Sequence, residues 1–210
     1  MPSKERTESA PPQATPRPGP DDRLSPGNRR AAIERFGVDH FDIVVIGGGA
    51  TGTGTALDAA SRGLSVALLE ARDYAAGTSS RSSKLIHGGL RYLEQKDFGL
   101  VREALRERGL LLKKLAPHLV KPVPFLFPLE QRWETPYVGA GMILYDTLGG
   151  GHQGVPRHRH LSKRKAMRIA PALRDDARIG ACQYYDAQVD DARHPMTLAR
   201  TAAPYGAAVA

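Results

Sequence analysis

The stretch DIVVIGGGATG, residues 42–52, decides the fold of this chain. Its first five residues, Asp42–Ile46, form a short apolar and β-branched run, which is typical of a buried strand in a parallel sheet. Glycines at positions 47, 49 and 52 follow at once, and the small residues after them favour a helix. A second apolar run, Leu64–Leu69, comes next and is followed by Glu70. This order predicts a strand–helix–strand unit over residues 42–70.

Each of the three glycines has a physical task in binding a dinucleotide. Gly47 permits the tight turn, Gly49 lets the backbone approach a pyrophosphate, and Gly52 lets the helix pack closely on the strand. The N-terminus of the helix offers free N–H groups and the positive end of its dipole to the phosphates. Glu70 is placed to accept hydrogen bonds from a ribose, and its charge would repel a 2′-phosphate. The unit therefore predicts a dinucleotide other than NADP.

The composition is that of an ordinary globular protein. The 210 residues are 41% hydrophobic and 25% charged, which is enough for one or two domains with a core. Cys182 is the only cysteine, so no disulfide forms within the chain, in agreement with a reducing, cytoplasmic location. No apolar run approaches the roughly 18 residues of a membrane span. The net charge of +8 suits anionic ligands, an acidic membrane surface or nucleic acid without choosing among them.

A second segment, residues 77–93, is dense in hydroxyls, glycines and cations. Hydroxyl and backbone N–H groups suit a second approach to a phosphate. The pair Gly88 and Gly89 suits the passage of backbone close to a flat ligand. Composition alone leaves open the alternative of a polar surface loop.

Several motifs together resemble the FAD-dependent glycerol-3-phosphate dehydrogenases, over roughly residues 40–210. The motifs are Gly47–Gly52, Glu70, Thr78–Ser80, Ser82–Tyr92, Ala116–Val120 and Val189–Arg193. The run SKLIHGGLRY, residues 83–92, is quite specific to that family. Residue 51 is Thr where many members have Asn, a change that the turn should tolerate. Residues 1–38 match no part of the family.

The resemblance implies an α/β fold: a Rossmann-like FAD-binding domain of the amino-acid-oxidase-like type, with the start of a substrate-domain insertion. Residues 1–38, with seven prolines and little apolar periodicity, are predicted to be a disordered tail. The first FAD-binding segment is expected at 39–120, the insertion at 121–187 and the return to the FAD-binding domain at 188–210. A helix is predicted at 195–203 and a strand from 206, inside which the chain stops. We therefore expect an N-terminal fragment of an enzyme at least twice as long.

By the same resemblance, FAD would oxidise the C2 hydroxyl of sn-glycerol 3-phosphate to give dihydroxyacetone phosphate. The electrons would pass to a membrane quinone, or to oxygen in the oxidase relatives. Thr78, Ser79 and Ser82 are expected to contact FAD, and Lys84 to lie near the flavin ring. His87, Arg91 and Tyr92 are the expected catalytic group. Arg91 and Tyr92 would face the substrate, while His87 would orient flavin or substrate or serve as the base.

Plainer interpretations of these residues remain open at this stage. Arg91 could form a surface ion pair with Glu94, and His87 could be a structural histidine. The basic run at residues 157–168 is interpreted as a solvated helix face, with attraction to anionic lipid as the functional alternative. Such attraction would place the protein peripherally on the inner face of the membrane. Asp190 and Asp191 are interpreted as helix caps. No metal site and no nucleic-acid motif are predicted.

Two other functions compete with the dehydrogenase. The chain could be a truncated FAD-binding module without catalytic activity, because it would use the same residues. It could also be another amino-acid-oxidase-like FAD oxidoreductase, although the His87–Tyr92 run argues against this.

Overall fold

A computed structural model describes residues 24–150, 154–173 and 179–210 of the chain. The described residues divide into two compact units, one formed by residues 24–82 and 191–210 and the other by the described residues between 83 and 190. In chain order the elements are α1 (Pro26–Val38), β1 (Ile43–Ile46), α2 (Ala50–Ser61), β2 (Val66–Leu69), β3 (Leu85–Ile86), α3 (Leu90–Glu94), α4 (Phe98–Leu110), β4 (Lys121–Leu129), α5 (Glu134–Leu148), β5 (Arg159–Ser162), α6 (Lys163–Ile169), β6 (Gly180–Gln188), α7 (Arg193–Ala202) and β7 (Ala208–Val209).

The first unit contains the predicted strand–helix–strand motif. β1 and β2 pair in parallel, with Ile43 opposite Val66, and β2 pairs in parallel with β7 on its other side. The strand predicted from residue 206 is thus confirmed as β7, and the helix predicted at 195–203 is α7. Small buried alanines on α2 and α7 pack with β2, because their short side chains let helices and sheet approach closely.

β1 departs from the prediction of a buried strand. Its burial alternates, with Val44 58% and Ile46 88% exposed. Within the described parts of the chain β1 pairs only with β2, so it lies at an edge of the three-stranded sheet. An apolar run indicates that a strand can be buried on both faces, but it does not supply the elements that cover it.

The prediction of a disordered tail up to residue 38 is wrong for its last part. Residues 26–38 form α1, whose first turn is capped by Ser25: its hydroxyl accepts a hydrogen bond of 3.1 Å from the Asn28 amide. Pro26 occupies the first helical position, where its missing N–H costs nothing. The start of α1 was not predicted because Pro26 was taken, with the other prolines, as a sign of disorder. Residues 1–23 lie outside the described residues.

The second unit is built on an antiparallel sheet. β6 pairs with β4 along its whole length, from Lys121 opposite Gln188 to Leu129 opposite Gly180. Its other side pairs with the short β3 and with β5. The amphipathic helix predicted at 97–115 is present as α4, whose Asp97 cap accepts a hydrogen bond of 3.1 Å from the Leu100 amide. A π-helical turn at Leu111–Leu115 continues it.

The boundaries between the compact units differ from those expected. The chain leaves the first unit after Ser82 and returns at Asp191, whereas boundaries were predicted at 120 and 188. The segment from Ser83 onwards belongs to the second unit because β3 pairs with β6, and the predicted domain boundaries stay predictions. None of the helices in the described ranges combines the length and apolar character that crossing a bilayer requires.

Candidate cofactor site

The glycine-rich turn between β1 and α2 has the geometry that the sequence predicts. Gly47 has φ +111°, a left-handed conformation that favours glycine, and its N–H donates to the Leu69 carbonyl at 2.8 Å. A Cβ at Gly52 would overlap the Gly47 carbonyl oxygen and lie 3.2 Å from Cγ1 of Val45. Only glycine at these two positions lets the helix begin directly against the strand.

The N-terminus of α2 is open at its cap. Gly49 is the N-cap and has no side chain to accept from the first-turn amides. Instead the Ser79 hydroxyl accepts a hydrogen bond of 2.9 Å from the Ala50 amide, and it would lie 2.9 Å from a Cβ at Gly49. The Ser79 hydroxyl thus lies at the N-terminus of α2, and its contact with a cofactor stays a prediction. The turn fits a pyrophosphate because glycine at its N-cap leaves room for close approach of a ligand to the start of a helix.

Glu70 closes the same turn from the end of β2. One carboxylate oxygen accepts from the Gly48 amide at 2.7 Å and the other from the Arg72 amide at 2.9 Å. These backbone hydrogen bonds, chiefly that of Gly48, lower the pKa of Glu70, so the carboxylate is ionised at neutral pH. Each oxygen keeps a further lone pair for a ribose hydroxyl. Sequence reasoning missed Gly48, whose amide fixes the carboxylate of Glu70.

A cavity of about 300 Å³ lies beside Glu70. Its wall includes Arg29 of α1, Tyr74 and Val209 of β7. Tyr74 is partly buried, and burial raises its pKa. The volume suits the adenosine end of a dinucleotide. Arg29 was not among the predicted residues because residues 1–38 were predicted to be disordered. The helix start at Ser25–Pro26 is the sequence signal that indicates an ordered segment there.

Thr78 and Ser82 lie in the same unit but make different contacts. Thr78 is exposed at the start of a 3₁₀ turn, Thr78–Ser80. The amide and hydroxyl of Ser82 donate to one carboxylate oxygen of Asp191, at 3.2 and 2.9 Å. The interpretation of Asp191 as a helix cap is wrong, because α7 begins after Ala192 with no side-chain cap bond. Asp191, 8% exposed, fixes Ser82 instead, and cofactor contacts of Thr78 and Ser82 stay predictions.

The remaining predicted residues, Lys84, His87, Arg91 and Tyr92, lie in the second unit. All four are exposed. Lys84 has φ +60°, and its carbonyl accepts from the Val189 amide at 3.0 Å. Within the described ranges Arg91 has no carboxylate partner in an ion pair, so the interpretation as a pair with Glu94 finds no support.

The turn between His87 and α3 is closely constrained. The Gly88 amide donates to a carboxylate oxygen of Asp186 at 3.0 Å. A Cβ on Gly88 would overlap Leu105 and the Tyr145 hydroxyl, and Gly89 has φ +74°. The glycine pair is therefore required by the packing of the turn itself. That the pair also allows close passage of backbone past a flat ligand stays a prediction.

Comparison with known proteins agrees with this geometry. A family model for FAD dependent oxidoreductases matches residues 42–210. A glycerol-3-phosphate dehydrogenase of Mycobacterium leprae is 63% identical over 191 residues, which is 90% of this chain and 32% of the relative. The chain thus spans about a third of the length of that relative.

Two solved structures share the fold. A glycerol-3-phosphate dehydrogenase of Bacillus halodurans, complexed with FAD, has a TM-score of 0.59 and 28% identity, covering 87% of this chain and 28% of that one. An L-proline dehydrogenase of P. horikoshii has a TM-score of 0.62 and 25% identity, covering 80% of this chain and 43% of that one. Since the family model covers most of its residues, including the glycine-rich turn, the chain belongs to the FAD dependent oxidoreductase family.

Proposed function

We propose that this chain forms the FAD-binding part of an enzyme that oxidises sn-glycerol 3-phosphate to dihydroxyacetone phosphate. The observation that carries the cofactor is the turn at Gly47–Gly52, where a Cβ is excluded at Gly52 and the N-cap of α2 is a glycine. The observation that carries the substrate is the 63% identity to a glycerol-3-phosphate dehydrogenase. Because the chain spans about a third of that relative, the activity of the complete enzyme is part of this proposal.

The cofactor would bind to the first unit by its nucleotide end. Glu70, held ionised by two backbone amides, would accept from the ribose hydroxyls, and the cavity beside it would take the adenine. The first amides of α2 would donate to the pyrophosphate next to Ser79. By resemblance, Thr78 and Ser82 would add contacts and Lys84 would lie near the flavin. When bound, FAD supplies the acceptor for the hydride on C2 of the substrate.

The substrate would be held by the exposed polar residues around the His87–Tyr92 turn. Arg91 presents a guanidinium fork without a carboxylate partner in the described part of the chain, and a fork of this kind suits phosphate or a developing alkoxide. The His87 imidazole is the candidate to accept the proton of the C2 hydroxyl. Tyr92, 38% exposed, would contact the substrate beside Arg91.

Quinone and membrane contact belong to the same proposal. The basic run divides between β5 and α6, and Arg157, Arg164, Lys165 and Arg168 are exposed. On α5 and its cap, Trp133 is 59%, Tyr137 67% and Ile143 57% exposed. Exposed cations and aromatic side chains in one unit suit the surface of an anionic bilayer, where a quinone would accept the electrons.

The enzyme proposal is tested with the FAD-loaded protein under anaerobic conditions. We expect sn-glycerol 3-phosphate to bleach the flavin absorbance, while L-proline at the same concentration leaves it unchanged. Bleaching by L-proline alone would favour another amino-acid-oxidase-like enzyme. A chain that takes up FAD but is bleached by neither compound would be a binding module without this activity.

Membrane contact is tested by sedimentation with vesicles. We expect binding to vesicles that contain phosphatidylglycerol and none to neutral phosphatidylcholine vesicles. Replacing Arg164, Lys165 and Arg168 by Gln should weaken binding strongly. Equal sedimentation with both vesicle types, or no effect of the triple change, would reject this surface.

A further inference from the structure

A buried charged cluster in the second unit lies directly behind the His87–Tyr92 turn. Its members are Arg108 on α4, Tyr145 on α5 and Asp186 on β6. Arg108 is 0%, Tyr145 2% and Asp186 5% exposed. Ionised side chains are seldom buried to this degree, because removal from water is costly unless other groups compensate for it.

One oxygen of Asp186 collects the hydrogen bonds of the cluster. Nη1 of Arg108 forms an ion pair with it, the Tyr145 hydroxyl donates to it at 3.1 Å, and the Gly88 amide donates to it at 3.0 Å. Nη1 of Arg108 also lies 3.3 Å from the Tyr145 oxygen and 3.2 Å from the Tyr185 carbonyl oxygen. Burial, together with the charge of Asp186, raises the pKa of Tyr145, so its hydroxyl keeps the proton that it donates.

Burying this cluster costs more free energy than a purely structural contact between apolar side chains would. Nε and Nη2 of Arg108 are buried with no hydrogen-bond partner among the described residues. A hydrophobic cluster of the same volume would avoid both the desolvation of the ions and these two unpaired donors. What an apolar cluster could not supply is a charged acceptor for the Gly88 amide.

We propose that Asp186, with Arg108 and Tyr145, is a positioning device for His87 and Arg91. Asp186 fixes the Gly88 amide, Gly89 adopts the left-handed conformation at φ +74°, and α3 then begins and presents Arg91. The side chains of Leu105 and Tyr145 leave no room for a Cβ at Gly88, which restricts the turn from the other side. Two exposed polar residues thus receive a defined placement from a buried anchor. The inference rests on the proposed function in so far as these residues bind substrate.

The test compares two substitutions that each neutralise a carboxylate paired with a side chain of this unit. Asp186→Asn removes the charge that holds Gly88. Asp146→Asn is the matched control, because Asp146 pairs with His158 at 2.6 Å and is similarly shielded, at 14% side-chain exposure. Hydrogen exchange of the Gly88 amide is measured in the 210-residue chain, together with the melting temperature. Anaerobic flavin reduction by sn-glycerol 3-phosphate is measured in the FAD-loaded enzyme.

We expect Asp186→Asn to speed Gly88 exchange by about tenfold or more, since the amide loses a charged acceptor. Flavin reduction should slow by about tenfold or more with the FAD content unchanged. Asp146→Asn should also lower the melting temperature and should leave both quantities within about twofold. Equal effects of the two substitutions on exchange and reduction would overturn the proposal, because a structural role predicts that result.

Two further arms keep the test decisive. If Asp186→Asn does not fold, Tyr145→Phe removes one hydrogen bond from the same carboxylate, and it should change Gly88 exchange and flavin reduction in the same direction. No change in either would overturn the proposal. If the wild-type flavin is not reduced, the proposed function fails, while the Gly88 exchange rates still decide whether the buried cluster fixes the turn.

Discussion

Replacing Gly52 by Ala puts the largest local strain on the proposed cofactor site. A Cβ there would overlap the Gly47 carbonyl oxygen and lie 3.1 Å from the carbonyl carbon and 3.2 Å from Cγ1 of Val45. The obstructing atoms are mostly backbone, and Gly47 is tied to Leu69 by a hydrogen bond of 2.8 Å, so the strain cannot be relieved by turning a side chain. Overpacking of this kind costs about 1–3 kcal/mol and sometimes more, and we expect the upper end.

The matched control is Gly54→Ala, two residues further along the same helix. A Cβ on Gly54 meets no heavy atom within 4 Å, and Gly54 lies inside α2. Ala stabilises a helix interior by about 0.5–1 kcal/mol relative to Gly, so the same chemical change should act in the opposite direction.

The assay is thermal unfolding by circular dichroism, followed by titration with FAD. For a chain of this size about 3 kcal/mol corresponds to a melting temperature roughly 6–12 °C lower for Gly52→Ala. Its affinity for FAD should fall by at least about tenfold, because the α2 amides are displaced from the pyrophosphate position. Gly54→Ala should melt at or above the wild-type temperature and bind FAD normally. If the two variants have the same stability and affinity, the reasoning about the turn is refuted.

Three other substitutions test separate parts of the account. Glu70→Gln should weaken FAD binding by about tenfold in a fluorescence titration, since the carboxylate loses its charge. The control Asp58→Asn, which changes an exposed pair with Arg62, should not weaken it. Equal affinities of the two variants would reject the role of Glu70. Arg91→Ala in the FAD-loaded enzyme should slow flavin reduction by about a hundredfold while FAD stays bound. Arg102→Ala, on the exposed face of α4, should leave the rate of reduction unchanged. An unchanged rate in Arg91→Ala would show that Arg91 does not belong to the site. Burial lowers the pKa of His194 below its ordinary value of 6.5. As the pH falls, the unfolded chain therefore takes up a proton on this histidine before the folded chain does. The free energy of unfolding should decrease as the pH drops below about 6.5 towards the pKa of the folded state. His194→Gln should flatten that dependence in urea unfolding between pH 8 and 5, and an exposed control, His118→Gln, should not; an unchanged slope in His194→Gln would contradict the assignment.

The local parts of the fold were readable from sequence because neighbouring residues determine them. The strand, the glycines and Glu70 lie within 30 consecutive residues. The structure shows why glycine is needed at two of these positions: Gly47 has a positive φ, and a Cβ at Gly52 would overlap the backbone. α1 was missed because its single proline, Pro26, was counted together with the six prolines of residues 1–23. The capping pattern Ser25–Pro26 is a local signal, and it predicts the helix start when it is considered alone.

The rest of the candidate site depends on contacts between distant residues. Asp191 pairs with Ser82 across 109 positions, and Asp186 pairs with Arg108 across 78. No periodicity marks such partners, so Asp191 was interpreted as a cap and Arg108 was not singled out. The edge position of β1 likewise follows from which strands pair, a property of the whole sheet.

Hydrogen exchange measured with and without FAD shows whether FAD binds at the glycine-rich turn. We expect FAD to slow exchange of the amides at residues 48–52, at the start of α2, and around Thr78–Ser80. Amides of β4 and β5 in the second unit should serve as unchanged references. Slower exchange confined to other segments, or none at saturating FAD, would contradict the account.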